Sequence, residues 1–259
     1  MSAAPPLALE TRGLRKSFGA LQVARDIDFR LPVGARHALI GPNGAGKTSF
    51  INLVTGTLRP SRGQILLGGE DVTALSPAKR VKRGIGRTFQ INALFQGLTV
   101  LENVLLAVGE RHGVAGDMLR PAGSRRAVVE EAYALLERLT LDDVAQRLVR
   151  ELPYGRQRLV EIAIALGLKP KVLLLDEPAA GVPSGESGLI LETVASLPSD
   201  IAVLIIEHDM DLVFRLAQRI TVLVQGAVLV EGTPAEIAAD PRVREVYLGE
   251  AQIDKVHPA

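Results

Sequence analysis

Cysteine and tryptophan are absent from this chain of 259 residues, and aromatic residues make up only 3% of it. The absence of cysteine excludes disulfides, thiol nucleophiles and cysteine-ligated metal sites. Long apolar runs are absent as well, because the richest stretch, Leu159 to Leu168, is cut by Glu161 and is shorter than the ~20 residues of a membrane-spanning helix. Residues 1–10 lack the charged start and apolar core of a signal peptide. We therefore expect any membrane association to be peripheral, through a partner.

An excess of charge of either sign is also missing, since 30 basic and 29 acidic residues leave a net charge of +1. This balance argues against a nucleic-acid-binding surface spread over the whole domain, and we expect no nucleic-acid partner. Hydrophobic residues account for 47% of the chain, which is typical of a globular protein with a sizeable core. The length allows one large α/β domain or two small ones.

Strand patterns of two kinds occur along the chain. Residues 27–33 alternate between apolar and other side chains, as half-buried strands do, and together with Leu7 to Leu14 they predict a small antiparallel sheet ahead of the core. Unbroken apolar runs at Val172 to Leu175 and Ile201 to Ile206 predict parallel strands that are covered on both faces. A turn at Gln225-Gly226 predicts a late hairpin.

The middle of the chain has helical patterns instead. Thr99 and Glu102 have the spacing of a capping box at a helix start. Further on, apolar residues recur at helical spacing between positions 128 and 139 and between 159 and 166. These patterns predict a mostly α-helical insertion from Ile91 to Leu168, with a loop over Gly109 to Ser124.

Residues 41–48 read G-P-N-G-A-G-K-T and match the phosphate-binding P-loop pattern in full, with a strand before them and a helix after them. In such a turn, backbone N–H groups face phosphate oxygens and the helix N-terminus adds positive partial charge. Lys47 is predicted to reach the β- and γ-phosphates of a nucleotide, and the Thr48 hydroxyl to bind Mg²⁺. The predicted nucleotide-binding residues here are Gly41, Pro42, Asn43, Gly44, Ala45, Gly46, Lys47, Thr48 and Ser49.

The strand at Val172 to Leu175 ends in a pair of acidic residues. Asp176 is placed beside the P-loop by this pattern and is predicted to hold Mg²⁺. Glu177 follows at the strand tip, where its carboxylate can polarise the water that attacks the γ-phosphate. We therefore predict Asp176 as a metal ligand and Glu177 as a catalytic residue.

Two further polar residues follow predicted strands. His208 comes after Ile201 to Ile206, at the sheet edge where ligands bind in such folds, and is predicted to contact the γ-phosphate or orient the water. Gln90 ends the predicted strand Ile85 to Phe89 and is predicted to touch Mg²⁺ or the water. Taken alone, each residue is better explained as an ordinary polar residue at the end of a strand, and it is the position of His208 at the ligand-binding sheet edge that favours a functional role.

The order of these motifs, together with the segment L-P-Y-G-R-Q-R at 152–158, resembles the ATP-binding-cassette (ABC) ATPases over nearly the whole chain. Within that family the chain is similar to the ATPase subunits of branched-chain amino acid importers, and those of urea and amide importers look much alike. The narrower resemblance rests on G-R-T-F-Q at 86–90, D-E-P-A-A-G at 176–181, E-H-D-M at 207–210 and Y-L-G-E at 247–250.

The resemblance implies an α/β P-loop NTPase fold with a parallel core sheet, an N-terminal antiparallel β subdomain and an inserted α-helical subdomain. One ABC ATPase domain then spans residues 1–259. Its core comprises 1–90 and 169–232, its helical subdomain 91–168, and its C-terminal helical extension 233–259.

The resemblance also implies a mechanism. Two ATPase subunits enclose two ATP molecules head to tail, each held by the P-loop of one subunit and by Tyr154, Gly155 and Arg156 of the other. Phe18 stacks on adenine, Glu177 is the catalytic base, and His208 is the switch residue. Gln90 begins the groove that receives a helix of the membrane subunits. The implied partners are two permeases, a second ATPase subunit and, indirectly, a solute-binding protein, on the cytoplasmic side of the inner membrane.

Two segments depart from the family pattern, the signature segment and the loop after the acidic pair. Pro153 stands where the signature segment usually has serine, so the hydroxyl that touches the γ-phosphate is missing, and Arg156 stands where glutamine is usual. We hypothesise that Arg156 supplies compensating positive charge. Pro183 stands where the loop after the acidic pair usually has Asp or Asn. Both changes are compatible with one weakened composite site in a pair of unlike ATPases.

Other functions compatible with a P-loop fit this sequence less well. A soluble ABC-type factor for ribosomes or DNA usually carries two cassettes or long coiled coils, and a regulatory subunit with little hydrolysis need not keep both Glu177 and His208. A P-loop kinase would not need the helical insertion. The basic side chains of Arg80, Lys82, Arg83 and Arg87 are predicted to be a solvated helix end or contacts with partners.

Overall fold

The computed structural model describes residues 5–88, 94–114 and 126–253. The strands, in chain order, are β1 (Leu7–Phe18), β2 (Leu21–Pro32), β3 (Arg36–Ile40), β4 (Arg62–Leu67), β5 (Glu70–Asp71), β6 (Ile85–Arg87), β7 (Val172–Asp176), β8 (Ala202–Ile206), β9 (Arg219–Val224) and β10 (Ala227–Gly232). The α-helices are α1 (Lys47–Thr55), α2 (Pro77–Arg83), α3 (Val100–Arg111), α4 (Arg126–Arg138), α5 (Tyr154–Gly167), α6 (Ser184–Ala195), α7 (Met210–Leu216), α8 (Pro234–Ala239) and α9 (Pro241–Ile253).

Residue contacts divide the chain into two compact units. The first unit comprises Met1–Arg80 and Ser199–Ala259, and the second comprises Val81–Pro198. The finer division into a core, a helical subdomain over 91–168 and an extension over 233–259 stays a prediction.

The antiparallel sheet predicted near the start of the chain is present in the first unit. Its strand order is β2-β1-β4-β5, and β1 pairs antiparallel with both β2 and β4. The side chains of Ile27, Phe29 and Leu31 are buried, whereas those between them are exposed. The two-residue period of the sequence therefore marks the buried face of β2 correctly.

Parallel strands form the centre of the first unit. β3 pairs in parallel with β8 on one side and β9 on the other, and β10 returns antiparallel beside β9 through the predicted hairpin turn. Every residue of β8 is buried, as expected for a strand covered on both faces. Helices α7, α8 and α9 contribute Val213, Ile237 and Val243 to a core cluster with Ile40 and Val222.

Helices dominate the second unit, in which β6 and β7 pair in parallel and α3, α4 and α5 pack on one another. The predicted capping box is present: the Thr99 side chain accepts from the Glu102 N–H and the Glu102 carboxylate accepts from the Thr99 N–H. The loop prediction for Gly109 to Ser124 is wrong at its start, because α3 continues to Arg111. Within the described ranges, none of the helices combines the length and apolarity that a membrane span requires.

Candidate active site

A glycine-rich turn connects β3 to α1 in the first unit. Residues of β3 from His37 to Ile40 are buried, and α1 begins at Lys47, so the turn opens directly onto a helix N-terminus. Gly46 lies at the N-cap with φ 100°, and a Cβ built on it would be 2.6 Å from the Val23 carbonyl oxygen. Only glycine fits this position. Gly46 makes no side-chain cap bond to α1, and a helix N-terminus of this kind is suited to binding an anion.

The Lys47 side chain lies along this turn. Its ammonium group donates to the carbonyl oxygens of Gly41 and Pro42, the latter at 3.1 Å. Thr48 is exposed, and Ser49 is partly exposed. The predicted phosphate-binding lysine and magnesium-binding hydroxyl are thus both carried by the first two residues of α1.

The turn between β9 and β10 is hydrogen-bonded to the P-loop. The Gly226 N–H donates to the Ala45 carbonyl oxygen at 2.9 Å, and the Gly226 carbonyl oxygen accepts from the Arg25 N–H at 2.7 Å. Ala45 is buried. The motif pattern did not identify this brace, because residue 226 is far from residue 45 in the sequence and only the pairing of β9 with β3 brings them together.

The far end of α1 is held by Arg80, which corrects one sequence prediction. Arg80 was expected at a solvated helix end, but its side chain is 1% exposed. Its guanidinium donates to the carbonyl oxygens of Leu53 and Val54, both at 2.7 Å, and to those of Thr73 and Leu75 at 2.8 and 3.1 Å. A cation at a helix C-terminus is favoured by the helix dipole. Arg80 therefore anchors the helix that carries Lys47 and Thr48.

His208 lies at the same sheet edge as the P-loop. β3 and β8 are parallel neighbours, with Leu39 opposite Ile206. The C-terminal ends of the two strands therefore lie at the same edge of the sheet. Glu207 is buried, whereas the His208 side chain is 68% exposed. Asp209 caps α7 by accepting from the Asp211 and Leu212 N–H groups. This cap fixes the backbone that carries His208, at the edge of the sheet where its imidazole is largely exposed.

Phe18 ends β1 with a side chain that is 53% exposed. The Lys16 ammonium lies 4.9 Å from the centre of its ring. An exposed aromatic ring provides a flat apolar surface of the kind on which a base stacks. Phe18 thus lies on the surface of the first unit, and its role as the stacking residue stays a prediction.

In the second unit, the acidic pair Asp176 and Glu177 lies at the end of β7. All residues of β7 are buried, and Asp176 at its end is 2% exposed. Its Oδ2 accepts from Arg87 Nη2 at 2.8 Å. Arg87 lies on β6, with Leu174 of β7 opposite it. The expectation that Arg87 belongs to a solvated surface is therefore wrong.

Glu177 follows with φ +48°, in the left-handed region that residues other than glycine rarely adopt. Its carbonyl oxygen accepts from the Ala180 N–H at 3.0 Å, which closes a turn directly after the strand. Backbone strain of this kind is concentrated at functional sites. The turn holds the predicted catalytic carboxylate at the tip of β7.

The signature segment forms the start of α5. Pro153 occupies the N-cap and offers no side-chain hydrogen bond. The Gly155 N–H donates to Glu186 Oε2 at 3.0 Å, and Arg156 Nη1 donates to Asp143 Oδ2 at 2.7 Å. The Tyr154 ring lies 5.3 Å from the guanidinium carbon of Arg158. Tyr154, Gly155 and Arg156 are thus together on one helical turn, and the contact of Glu186 was not predicted from the sequence. Gln90 lies outside the described residues.

The sequence is similar to known families and proteins. A family model described as ABC transporter matches residues 24–180. The chain belongs to the ATP-binding cassette family. A second model, described as branched-chain amino acid ATP-binding cassette transporter, matches residues 227–252 of this cassette. As an ABC ATPase, the chain binds and hydrolyses ATP.

Curated relatives match the cassette over nearly its full length. It is 40% identical over 251 residues to the high-affinity branched-chain amino acid transport ATP-binding protein BraF of Pseudomonas aeruginosa, covering 94% of this chain and 98% of BraF. It is 39% identical over 250 residues to LivG of Escherichia coli, a protein of the same description, with the same coverage.

A solved ABC cassette, MJ1267 in its ADP conformation, has the same fold, with a TM-score of 0.81 and 32% identity over 95% of this chain and 100% of that one. This likeness confirms the predicted P-loop NTPase fold with its parallel strands, antiparallel β subdomain and helical part.

Proposed function

We propose that this cassette is the ATP-hydrolysing subunit of an importer for branched-chain amino acids. One observation carries the proposal: a general ABC model and a model specific to branched-chain amino acid cassettes match two separate parts of the chain, 24–180 and 227–252. Relatives named for this transport are 39–40% identical over 94% of the chain.

Nucleotide binding uses the P-loop, residues 41–49. Its backbone N–H groups and the N-terminus of α1 bind phosphate oxygens. Lys47 exchanges its contacts with the Gly41 and Pro42 carbonyls for contacts with the β- and γ-phosphates. Phe18 stacks on adenine. Tyr154, Gly155 and Arg156, in the signature segment, bind the ATP that is held by the P-loop of a second subunit.

Mg²⁺ fits the donors that these residues offer. The ion prefers hard oxygen ligands and is usually held by one or two protein oxygens together with phosphate oxygens. The Thr48 hydroxyl and the Asp176 carboxylate are such donors, and Gln90 adds an amide oxygen. When bound, Mg²⁺ neutralises charge that develops on the phosphates.

Hydrolysis depends on Glu177 and His208. Glu177 accepts a proton from the attacking water, and its position in a strained turn after β7 holds the carboxylate in place. His208 orients the water or contacts the γ-phosphate from the edge of β8. Neither residue is needed for nucleotide to bind, so their removal separates binding from turnover.

The partners follow from the importer proposal. A second ATPase subunit, identical or not, completes each ATP site, and two permease subunits receive the motion of the closing dimer. A solute-binding protein delivers the amino acid to the permeases. The chain acts at the cytoplasmic side of the inner membrane, as a peripheral subunit, with no nucleic-acid partner.

The ATPase part of the proposal is tested with Glu177→Gln, which blocks the base but keeps its size. Light scattering in the presence of ATP and Mg²⁺ should show a dimer that ADP does not support. Glu192→Gln, at an exposed carboxylate on α6, is the control and should associate no more than the parent. A Glu177→Gln chain that does not bind ATP would refute the proposal.

The transported solute is tested in cells of the source organism that carry Lys47→Ala in this gene. Uptake of labelled leucine should be lost while uptake of urea is retained. Loss of urea uptake with normal leucine uptake would assign the cassette to the urea and amide importers instead.

A further inference from the structure

Helix α5 begins without a cap of its own. A helix leaves its first N–H groups without intrahelical partners, and an N-cap Ser, Thr, Asp or Asn usually accepts from the second or third of them. Pro153 occupies the N-cap of α5, and no side-chain cap bond forms there. The second helical residue is Gly155, one of the residues proposed to bind the partner's ATP.

Glu186 provides the missing acceptor from another element. Its Oε2 accepts from the Gly155 N–H at 3.0 Å. A Cβ built on Gly155 would be 2.4 Å from the same oxygen, so the carboxylate lies directly against this residue. A negative charge at a helix N-terminus is favoured by the helix dipole. The carboxylate therefore replaces the N-cap side chain that proline lacks.

The segment that follows the catalytic Glu177 holds this arrangement from a second direction. A Cβ built on Gly181 would be 3.3 Å from the Tyr154 ring, so the backbone at Gly181 lies against that ring. Glu186 itself is fixed by its N–H, which donates to the Pro183 carbonyl oxygen at 2.8 Å. The first turn of α5 is thus supported twice by residues 181–186.

We propose that Glu186 is a positioning residue that caps α5 and presents Gly155 and its neighbours to the γ-phosphate of an ATP held by a second subunit. This inference rests on the proposed function. Glu186 acts through Gly155 and does not itself touch nucleotide. Pro153 is tolerated in the signature segment because the cap comes from α6.

The experiment compares Glu186→Ala, Glu186→Gln and the double variant Glu186→Ala/Pro153→Ser, each in the Glu177→Gln chain. Glu192→Ala, on an exposed part of α6, is the matched control. Serine at the N-cap accepts from the second or third N–H, so Pro153→Ser offers a local cap that makes Glu186 dispensable. Glutamine keeps an oxygen acceptor and removes the charge.

The first readout is the ATP concentration that gives half-maximal association in light scattering. Glu186→Ala should raise it about fivefold, the equivalent of one lost N-cap. Glu186→Gln and the double variant should return it to within about twofold of the parent, since each restores an acceptor. Binding of a fluorescent ATP analogue to the P-loop should be the same in every variant, because the cap lies in the signature segment.

The second readout needs no nucleotide. Amide hydrogen exchange at Gly155 should accelerate in Glu186→Ala and slow again in the double variant. If the Glu177→Gln chain binds ATP without associating, the slower exchange at Gly155 in the double variant decides the inference. If the chain does not bind the ATP analogue, the proposed function fails, while the exchange rate at Gly155 still shows whether Glu186 caps α5.

Two results would overturn the inference. Exchange at Gly155 that is unchanged in Glu186→Ala would show that the carboxylate does not cap α5. A lower ATP requirement in both Glu186→Ala and Glu186→Gln would show that the carboxylate opposes the phosphate instead of positioning its ligands.

Discussion

Arg87 Nη2 lies 2.8 Å from Asp176 Oδ2, and the two side chains are 14% and 2% exposed. The pair joins neighbouring parallel strands, since Arg87 ends β6 and Asp176 ends β7. A carboxylate this deeply buried requires a compensating positive charge. Arg87 therefore supplies, from within the chain, the kind of charge that Mg²⁺ would bring to the same carboxylate.

Arg87→Met should lower the free energy of unfolding by about 3 kcal/mol, because removing one partner leaves a buried charge without compensation. Addition of Mg²⁺ and ATP should recover part of this loss, since in the proposed magnesium site the cation brings positive charge to Asp176. Urea denaturation with and without Mg²⁺ and ATP measures both effects. Arg126→Met is the control, because the Arg126–Glu130 pair is exposed, with side chains 91% and 61% accessible, and should change stability little. An equal loss in the two variants would contradict the role given to Arg87.

Lys47→Ala should weaken ATP binding roughly 100-fold, as expected for the loss of a charged hydrogen-bond donor to phosphate. The fold should be nearly as stable as the parent's, because the ammonium donates to carbonyl oxygens of the same glycine-rich turn, at Gly41 and Pro42. Titration with a fluorescent ATP analogue measures the affinity. Lys79→Ala, at an exposed lysine on α2, should bind as the parent does. A normal affinity for ATP in Lys47→Ala would contradict the assignment of this turn as the phosphate-binding P-loop.

The sequence predicts those parts of the site that depend on neighbours in the chain. The P-loop, the capping box at Thr99 and the buried strand before Asp176 are all local patterns, and the structure contains them. Long-range partners are different. Nothing near Arg87 in the sequence indicates Asp176, which is 89 residues away, and Gly155 and Glu186 are 31 residues apart.

The same reason explains the wrong expectation for Arg80. Its neighbours, Lys82 and Arg83, favour a solvated basic helix end, whereas two of the carbonyl oxygens that it binds, those of Leu53 and Val54, belong to residues 27 and 26 positions earlier. A buried arginine and an exposed one have the same sequence signature until the partners are known. Burial of charge is therefore the property that local pattern predicts least well here.

Arg80→Met should destabilise the chain by about 3 kcal/mol, because several buried carbonyl oxygens lose their donor. The affinity for ATP should fall as well, since α1 carries Lys47 and Thr48 and its C-terminal carbonyls lose their anchor. Urea denaturation and titration with the ATP analogue measure the two effects. Lys79→Met, at the exposed neighbouring position, should leave both unchanged. A fully stable Arg80→Met chain would show that the hydrogen bonds of Arg80 contribute nothing to the fold.

His37 gives the first unit a dependence on pH that lies outside the active site. Its Nε2 is 2.8 Å from Thr221 Oγ1, and that hydroxyl donates to Glu231 Oε2 at 3.1 Å, so Nε2 carries the proton of a neutral ring. In the part of the chain that the structure describes, buried Nδ1 has no hydrogen-bond partner. Burial lowers the pKa of His37 from 6.5 to about 4, with Glu231 opposing the shift and Arg219 adding to it.

The sign of the effect on stability follows from this shift. Above pH 6.5 the ring is neutral in both the folded and the unfolded chain, so it contributes no pH dependence. Between pH 6.5 and 4 the unfolded chain binds the proton more tightly, and stability falls as the pH is lowered. The loss between pH 7 and 4.5 should be about 2 kcal/mol, since one pKa unit corresponds to about 1.4 kcal/mol.

Urea denaturation at a series of pH values, on the parent and on His37→Gln, measures this contribution. Glutamine keeps a donor for Thr221 but does not titrate, so the variant should lose about 2 kcal/mol less than the parent between pH 7 and 4.5. If the free energy of unfolding changes equally with pH in the parent and in His37→Gln, protonation of the buried ring does not destabilise the fold, and the role given to His37 is wrong.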